Sequence, residues 1–199
     1  MQPLGWLRPA SWFSQSIGVS RDGTTIVGES ILSASEAFAW RQATGMQPLP
    51  PLPGASTLGS TAFAASADGS VIVGEAPGTD GFGHMVRWTS AGAQDLGTGV
   101  AYAVSDDGLV VGGAGGVWTP LTGRVGLTDY LAQHGVTVLA GWSIDSLLAI
   151  SGDGRTFAGA ARSTSGTVQG YVAAIPAPPG VGILCASGLL IMRTRRARR

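Results

Sequence analysis

Four copies of one short pattern constrain this chain more than any other feature: Ser-x-Asp-Gly-x-x, two apolar residues, then Gly. The copies run from Ser20-Arg21-Asp22-Gly23 to Gly28, from Ser66-Ala67-Asp68-Gly69 to Gly74, from Ser105-Asp106-Asp107-Gly108 to Gly112 with a shortened apolar run, and from Ser151-Gly152-Asp153-Gly154 to Gly159. Their aspartates are spaced 46, 39 and 46 residues apart. Asp-Gly between two apolar runs signals a hairpin, because Gly accepts the positive φ that a type I′ turn demands. The Ser two residues before the Asp can hydrogen-bond the turn backbone. Asp22, Gly23, Asp68, Gly69, Asp107, Gly108, Asp153 and Gly154 therefore read as structural turn residues.

A second element follows the first three copies. It consists of a Trp, a short polar stretch, a Gly and then a Leu, as Trp40…Gly45…Leu49, Trp88…Gly92…Leu96 and Trp118…Gly123…Leu127. Met1-Gln2-Pro3-Leu4 repeats Met46-Gln47-Pro48-Leu49 letter for letter, and Leu7 and Ala10-Ser11 match Leu52 and Ala55-Ser56. Each unit thus predicts four short strands. In the third these are Ala101 to Ser105, Leu109 to Gly112, Gly116 to Thr119 and Arg124 to Leu127. In the fourth, Leu147 to Ile150, Thr156 to Gly159 and Tyr171 to Ala174 are expected. Trp on the third strand brings a large apolar surface for packing between units. Residues 128–135 break the rhythm and predict a short helix, with Thr128 as N-cap and Gly135 as the C′ residue.

A four-stranded unit of roughly 40–45 residues has the size of a propeller blade. In a closed ring, Met1 to Leu7 would complete the fourth unit and remove both sheet edges. The alternative is an open array, since the N-terminus begins inside a repeat. Composition agrees with many short strands and tight turns: 32 of 199 residues are Gly, 44% are hydrophobic and 12% are charged. The expected architecture is all-β, a β-propeller-like array of about four four-stranded repeats over residues 1–175. One short helix is inserted, and a C-terminal hydrophobic anchor helix lies in residues 176–199.

The formal charge of zero hides an asymmetry. Arg193, Arg195, Arg196, Arg198 and Arg199 crowd the last seven residues, which leaves the preceding body about five charges negative. A mildly acidic body argues against nucleic acid as a partner, since such proteins carry a basic footprint. The single cysteine, Cys185, excludes an internal disulfide and a thiolate metal site.

Catalytic chemistry finds little support. The repeated aspartates could ligate calcium, but each unit offers only one or two carboxylates, and their recurrence favours turn formation. Neither histidine, His84 or His134, sits in a nucleophile motif, and no Gly-x-Ser-x-Gly elbow occurs. His134 suits a helix C-terminus. Asp106 and Asp107 are adjacent, so on a strand they point to opposite faces and form no acid/base pair. The tryptophans could stack on sugars, yet their regular placement favours core packing. No catalytic residue, metal or cofactor is expected.

From residue 176 the character changes. Pro176-Ala177-Pro178-Pro179 is an extended breaker. Val181 to Met192 is apolar and uncharged, and the five arginines close the chain. The apolar run is long enough for a transient membrane span, with the arginines held on the cytoplasmic side. A proline motif, a short span and a basic end form a three-part sorting signal. This tail resembles a PEP-CTERM sorting domain of Gram-negative bacteria, with Ala177 where the usual Val-Pro-Glu-Pro core has Glu. The repeats, with Ala37-Phe38-Ala39-Trp40 after the first, resemble the HAF family of extracellular repeats. Together the two resemblances cover nearly the whole chain. They imply export, processing by an exosortase-type enzyme at the proline motif, transient inner-membrane anchorage, and a cell-surface or extracellular-matrix destination, with extracellular polysaccharide as a partner. They carry over no catalytic residues. Met1 to Trp12 has neither the basic nor the apolar segment of a signal peptide, which fits a chain that continues upstream. The leading functional expectation is a non-enzymatic exported repeat protein. The alternative is a carbohydrate- or protein-binding propeller at the cell surface.

Overall fold

The computed structural model describes residues 1–56 and 58–177. Three consecutive sheets have four antiparallel strands each and a fourth has three. The first comprises β1 (Phe13–Val19), β2 (Ile26–Ile31), β3 (Ser35–Arg41) and β4 (Gly45–Pro48). The second comprises β5 (Thr61–Ala65), β6 (Ile72–Pro77), β7 (Gly83–Thr89) and β8 (Gly92–Thr98). The third comprises β9 (Ala101–Val104), β10 (Val111–Gly113), β11 (Gly116–Thr119) and β12 (Gly123–Val125). The helix α1 (Leu127–Gln133) leads to the fourth sheet, β13 (Trp142–Ile150), β14 (Thr156–Ser163) and β15 (Val168–Ala174).

Each sheet is a simple meander, so chain order is spatial order. The first strands β1, β5, β9 and β13 meet one another along the inside of the array, and each sheet packs on the next. Three apolar clusters fill these junctions. Val27, Ala37 and Ala39 of the first sheet meet Ile72, Val86 and Trp88 of the second. Val73 and Met85 of the second meet Ala101, Val111 and Trp118 of the third. Val117 of the third, with Leu127 and Leu131 around α1, meets Leu147, Phe157 and Tyr171 of the fourth. The repeated tryptophans are thus junction residues: Trp88 is 2% and Trp118 9% exposed, while Trp40, on the first sheet, stays half-buried.

The second glycine of each motif has a steric cause. At Gly28, Gly74 and Gly159 a Cβ would collide with the carbonyl of Gln15, Thr61 and Ser146 on the inner strand. The inner strand bulges near that point, and only Gly admits so close a backbone approach. In the third unit this glycine is Gly113, against the Val100 carbonyl. The apolar run there is therefore not shortened to Gly112. Gly112 takes the place held by Val27 and Val73, and Leu147 and Ile150 of the next sheet fill the space beside it.

Three expectations need correction. Met1 to Leu7 forms no strand and does not complete the fourth sheet; Gln2 to Gly5 lie beside Ser14, Phe38 and Met46 of the first. The Arg8 guanidinium, bidentate on Glu36 at 2.6 Å, and the Leu7 amide on Ser30 Oγ at 3.3 Å hold the segment there. The N-cap of α1 is Gly126, and Thr128 lies inside the helix. The C-terminal end is as expected: Gly135 has φ +75°, and the Gly135 and Val136 amides donate to Ala132 and Leu131, a Schellman closure. The strands of the fourth sheet run longer than expected at their outer ends, β14 reaching Ser163 and β15 starting at Val168.

The anchor helix expected in the tail, with Pro178, Pro179, Cys185 and the five terminal arginines, lies outside the described residues. Among those described, no helix is long and apolar enough to cross a membrane.

Candidate functional site

The four Ser-x-Asp-Gly corners converge at one end of the inner strands. Within each, the Gly amide donates to the Ser carbonyl, at 2.9 Å for Gly23, 3.0 Å for Gly69 and Gly108, and 2.8 Å for Gly154. That bond puts the x residue and Asp at the centre of the turn and Gly in its fourth position. Gly φ values of +73°, +67°, +70° and +71° show the left-handed conformation there. A two-residue type I′ turn would place Gly third, so the corner is a longer loop than the sequence suggests.

Side chains close the loop. Ser Oγ donates to Asp Oδ1 at 2.6, 2.8, 2.6 and 2.5 Å along the chain. The same Oδ1 accepts the amide two residues on, from Thr24, Ser70, Leu109 and Arg155, at 2.9–3.1 Å. Ser Oγ in turn accepts the amide five residues on, from Thr25, Val71, Val110 and Thr156. Bonds to the ionised form hold the carboxylates below their usual range: Asp22 and Asp153 first through the serine hydroxyl, and Asp68 first through the Ser70 amide, down to about 2.

The corners are also joined to one another. The Asp22 amide donates to the Ala67 carbonyl, the Ala67 amide to Asp106, and the Asp106 amide to Gly152, at 3.0, 3.0 and 2.8 Å. The Arg21 guanidinium reaches over the second corner to pair with the Asp106 carboxylate. Asp107 turns the other way, into its own corner. Arginines from the third strands lock the next corner: Arg41 of β3 donates to the Gly69 carbonyl and Arg87 of β7 to that of Gly108, with Arg87 also 5.4 Å above the Trp118 ring. This inter-corner ladder was not readable in the sequence, because its partners are 45, 39 and 46 residues apart.

His84, on β7, is the second polar cluster. Its Nδ1 meets the Asp95 carboxylate at 2.9 Å and its Nε2 that of Asp80 at 3.1 Å. The imidazole is only 14% exposed, and Asp95, then Asp80, raise its pKa. A carboxylate on each nitrogen favours the cationic ring, which clasps the β6–β7 turn to β8. Both its nitrogens are engaged by carboxylates, and among the described residues no serine, threonine or cysteine bonds it, so His84 forms no nucleophile–base pair there of the kind acyl transfer needs. Sequence reading singled out His84 but missed Asp80 and Asp95; the His-x-x-x spacing to Asp80 was the available signal. His134 Nδ1–H donates to the Tyr130 carbonyl, 2.8 Å away, at the end of α1. Among the described residues, no three His, Cys, Asp or Glu side chains converge as metal ligands.

A cleft of ≈ 360 Å³ lies under residues 2–6 against Ser14, Ser16, Phe38 and Met46. Trp6, on its lining, is 52% exposed, and Trp12 is 67% exposed. At the opposite end of the array Pro176 and Ala177 are exposed just beyond β15, where the Ile175 amide donates to the Arg155 carbonyl at 2.8 Å.

No protein-family model and no curated protein matches the chain. Two solved structures do. A putative TolB from Agrobacterium tumefaciens superposes with a TM-score of 0.55 at 13% identity, over 82% of this chain and 58% of that one. TolB from Acinetobacter baumannii superposes with a TM-score of 0.54 at 15% identity, over 82% and 41%. The chain spans about half the length of these proteins. At such identities the likeness establishes the fold: four successive blades of a TolB-like β-propeller.

Proposed function

We propose that this chain is a non-enzymatic exported protein of the cell surface or extracellular matrix, a displayed arc of propeller blades with a C-terminal sorting signal. The observation that carries the reading is the closed hydrogen bonding of the four corners. In every unit the corner Ser hydroxyl and the Asp Oδ1 are bonded within their own loop, and backbone amides join each corner to the next. A recurring Ser–Asp pair committed to its own turn suits scaffolding. Residues 176–199 would be read by an exosortase-type enzyme while Val181 to Met192 sits transiently in the inner membrane. Exposure of Pro176 and Ala177 directly after β15 supports access to that motif.

The test is deletion of residues 176–199 in a Gram-negative host with an exosortase. The truncated protein is expected in the medium, or unprocessed within the cell. Normal retention at the cell surface without those residues contradicts the sorting role.

A second reading, a propeller that binds carbohydrate or protein, is favoured by the exposed indoles of Trp6, which lines the ≈ 360 Å³ cleft, and of Trp12, since flat exposed aromatics stack on sugar rings. A glycan array separates the two. Saturable binding lost in Trp6→Ala and Trp12→Ala favours the binding reading, and no binding to any glycan leaves the scaffold.

A further inference from the structure

Among the described residues the fourth sheet has three strands where the others have four. β3, β7 and β11 are each flanked by an outer strand, β4, β8 and β12, whereas among the described residues β15 pairs with β14 alone. Its free edge runs seven residues, Val168–Ala174. Unpaired edges of this kind are templates for strand addition. One face of the sheet is also open. Val168, Gly170, Val172 and Ala174 are exposed, alternating with Gln169, Tyr171 and Ala173 on the packed side. Counted from the corners and read through the strand registers, Val172 holds the place of Ala39, Arg87 and Val117. Those three residues face the following sheet. At the other end, Trp40 is half-buried where Trp88 and Trp118 are buried against the preceding sheet. Among the described residues, the array therefore leaves the forward face of its fourth sheet open and the rear face of its first incompletely covered.

The chain itself carries a strand of the missing type. Met1-Gln2-Pro3-Leu4 is identical to Met46-Gln47-Pro48-Leu49, and Gly45–Pro48 is β4, the outer strand of the first sheet. Leu7 matches Leu52, which is buried in the junction between the first and second sheets, yet Leu7 itself is only half-buried.

We propose that copies of this chain associate head to tail. Residues 1–4 of one copy add to the β15 edge of another as its fourth strand, while the forward face of that fourth sheet packs on the rear face of the donor's first sheet. The junction then repeats the three inside each copy. The β3–β4 register, Phe38↔Pro48, Ala39↔Gln47 and Trp40↔Met46, transfers directly. It sets Gln2 opposite Val172, Met1 opposite Ala173 and Pro3 opposite Tyr171. Proline is tolerated because the added strand is an edge, as it is at Pro48. Residues 7 and 8 remain anchored on the donor's first sheet, so residues 1–6 span a reach of about 20 Å when extended. The ladder of corner bonds, which ends at the Gly152 carbonyl, continues from the Gly152 amide to the Arg21 carbonyl of the donor. The contact is heterologous, so copies form a ring where the rotation closes and a growing chain where it does not. None of this depends on the functional reading above.

The experiment uses the full chain in mild detergent with Cys185→Ser. Separate copies bearing Gln2→Cys and Val172→Cys are mixed and oxidised. A disulfide-linked dimer is expected, and Val168→Cys in place of Val172→Cys yields little. Sedimentation follows association of the unaltered chain, of Val172→Arg, of a form lacking residues 1–4, and of Leu121→Arg as an exposed control. Val172→Arg weakens association roughly a hundredfold by placing an unpaired charge in the packed face. Removal of residues 1–4 weakens it comparably, and the control does not change it. A monomer at all concentrations overturns the proposal. So does association untouched by both variants, which the apolar tail alone would produce. A cross-link within one copy carrying both cysteines, in place of one between copies, also overturns it.

Discussion

The carboxylate of Asp68 accepts the Ser70 amide and the Ser66 hydroxyl, and its pKa falls to about 2 from an ordinary 3.8. Asp22 and Asp153 shift in the same direction through the same bonds. A carboxylate depressed in the folded state adds stability that is whole above its unfolded pKa and is lost as pH falls through the folded value. Acid unfolding is therefore expected to steepen between about pH 4 and pH 2. Asp68→Asn, which keeps one acceptor but cannot titrate, should flatten that part of a stability-versus-pH curve measured by urea titration. An unchanged curve would count against the corner bonds. His84 has the opposite sign. Asp95 and Asp80 raise it above the ordinary imidazole value of 6.5, so its contribution is whole below that value and disappears as pH rises through the raised pKa. Proton NMR of the His84 ring should give a midpoint above 6.5, and His84→Gln should remove the loss of stability on the alkaline side.

Hairpins and their junctions fail in different ways when altered. The corner glycines share a positive φ but not a neighbourhood. At Gly23 a Cβ meets nothing within 4 Å, so Gly23→Ala pays only for the left-handed conformation, about 1–2 kcal/mol. At Gly69 the same Cβ collides with the Thr25 side chain of the preceding corner. Gly69→Ala should therefore lose clearly more stability in chemical denaturation, and equal losses would show that the corners do not touch in solution. Trp88 joins two sheets: its ring packs with Val27 and Ala39, and its indole N–H donates to the Pro50 carbonyl at 2.8 Å. Trp88→Ala should cost about 3–5 kcal/mol, the range for emptying a buried aromatic site, read as a fall in Tm.

The molecule as a whole is a one-dimensional stack in which each sheet is stabilised by its neighbours. The second and third sheets have a neighbour on both faces; the first and fourth have one each. Hydrogen exchange should therefore be slowest in β6, β7 and β10, by roughly tenfold or more over β15. Under associating conditions β15 should gain protection if the head-to-tail junction forms. Uniform exchange across the four sheets would mean that the stack opens as a single unit.

Some of this protein was determined within a few residues of chain. The Ser-x-Asp-Gly corner closes its bonds inside six residues, and the end of α1 closes inside Leu131 to Val136, so both follow from local chemistry. The alternation of apolar runs and turns likewise forces antiparallel hairpins, because neighbouring strands joined by so few residues can only fold back. The start of α1 was misplaced at Thr128 because its capping signal competes with a Gly126 that the fold, not the local sequence, sets in extended conformation. What joins the hairpins was decided only by the tertiary structure. The corner ladder, the Arg21–Asp106 pair and the Asp95 carboxylate on His84 link residues brought together by the stacking of sheets or by the bulged pairing of β7 with β8. The identity of Met1 to Leu4 with the β4 sequence marked that segment as an outer strand. Where such a strand goes depends on which edge and which face are left open, and those are properties of the assembled sheets.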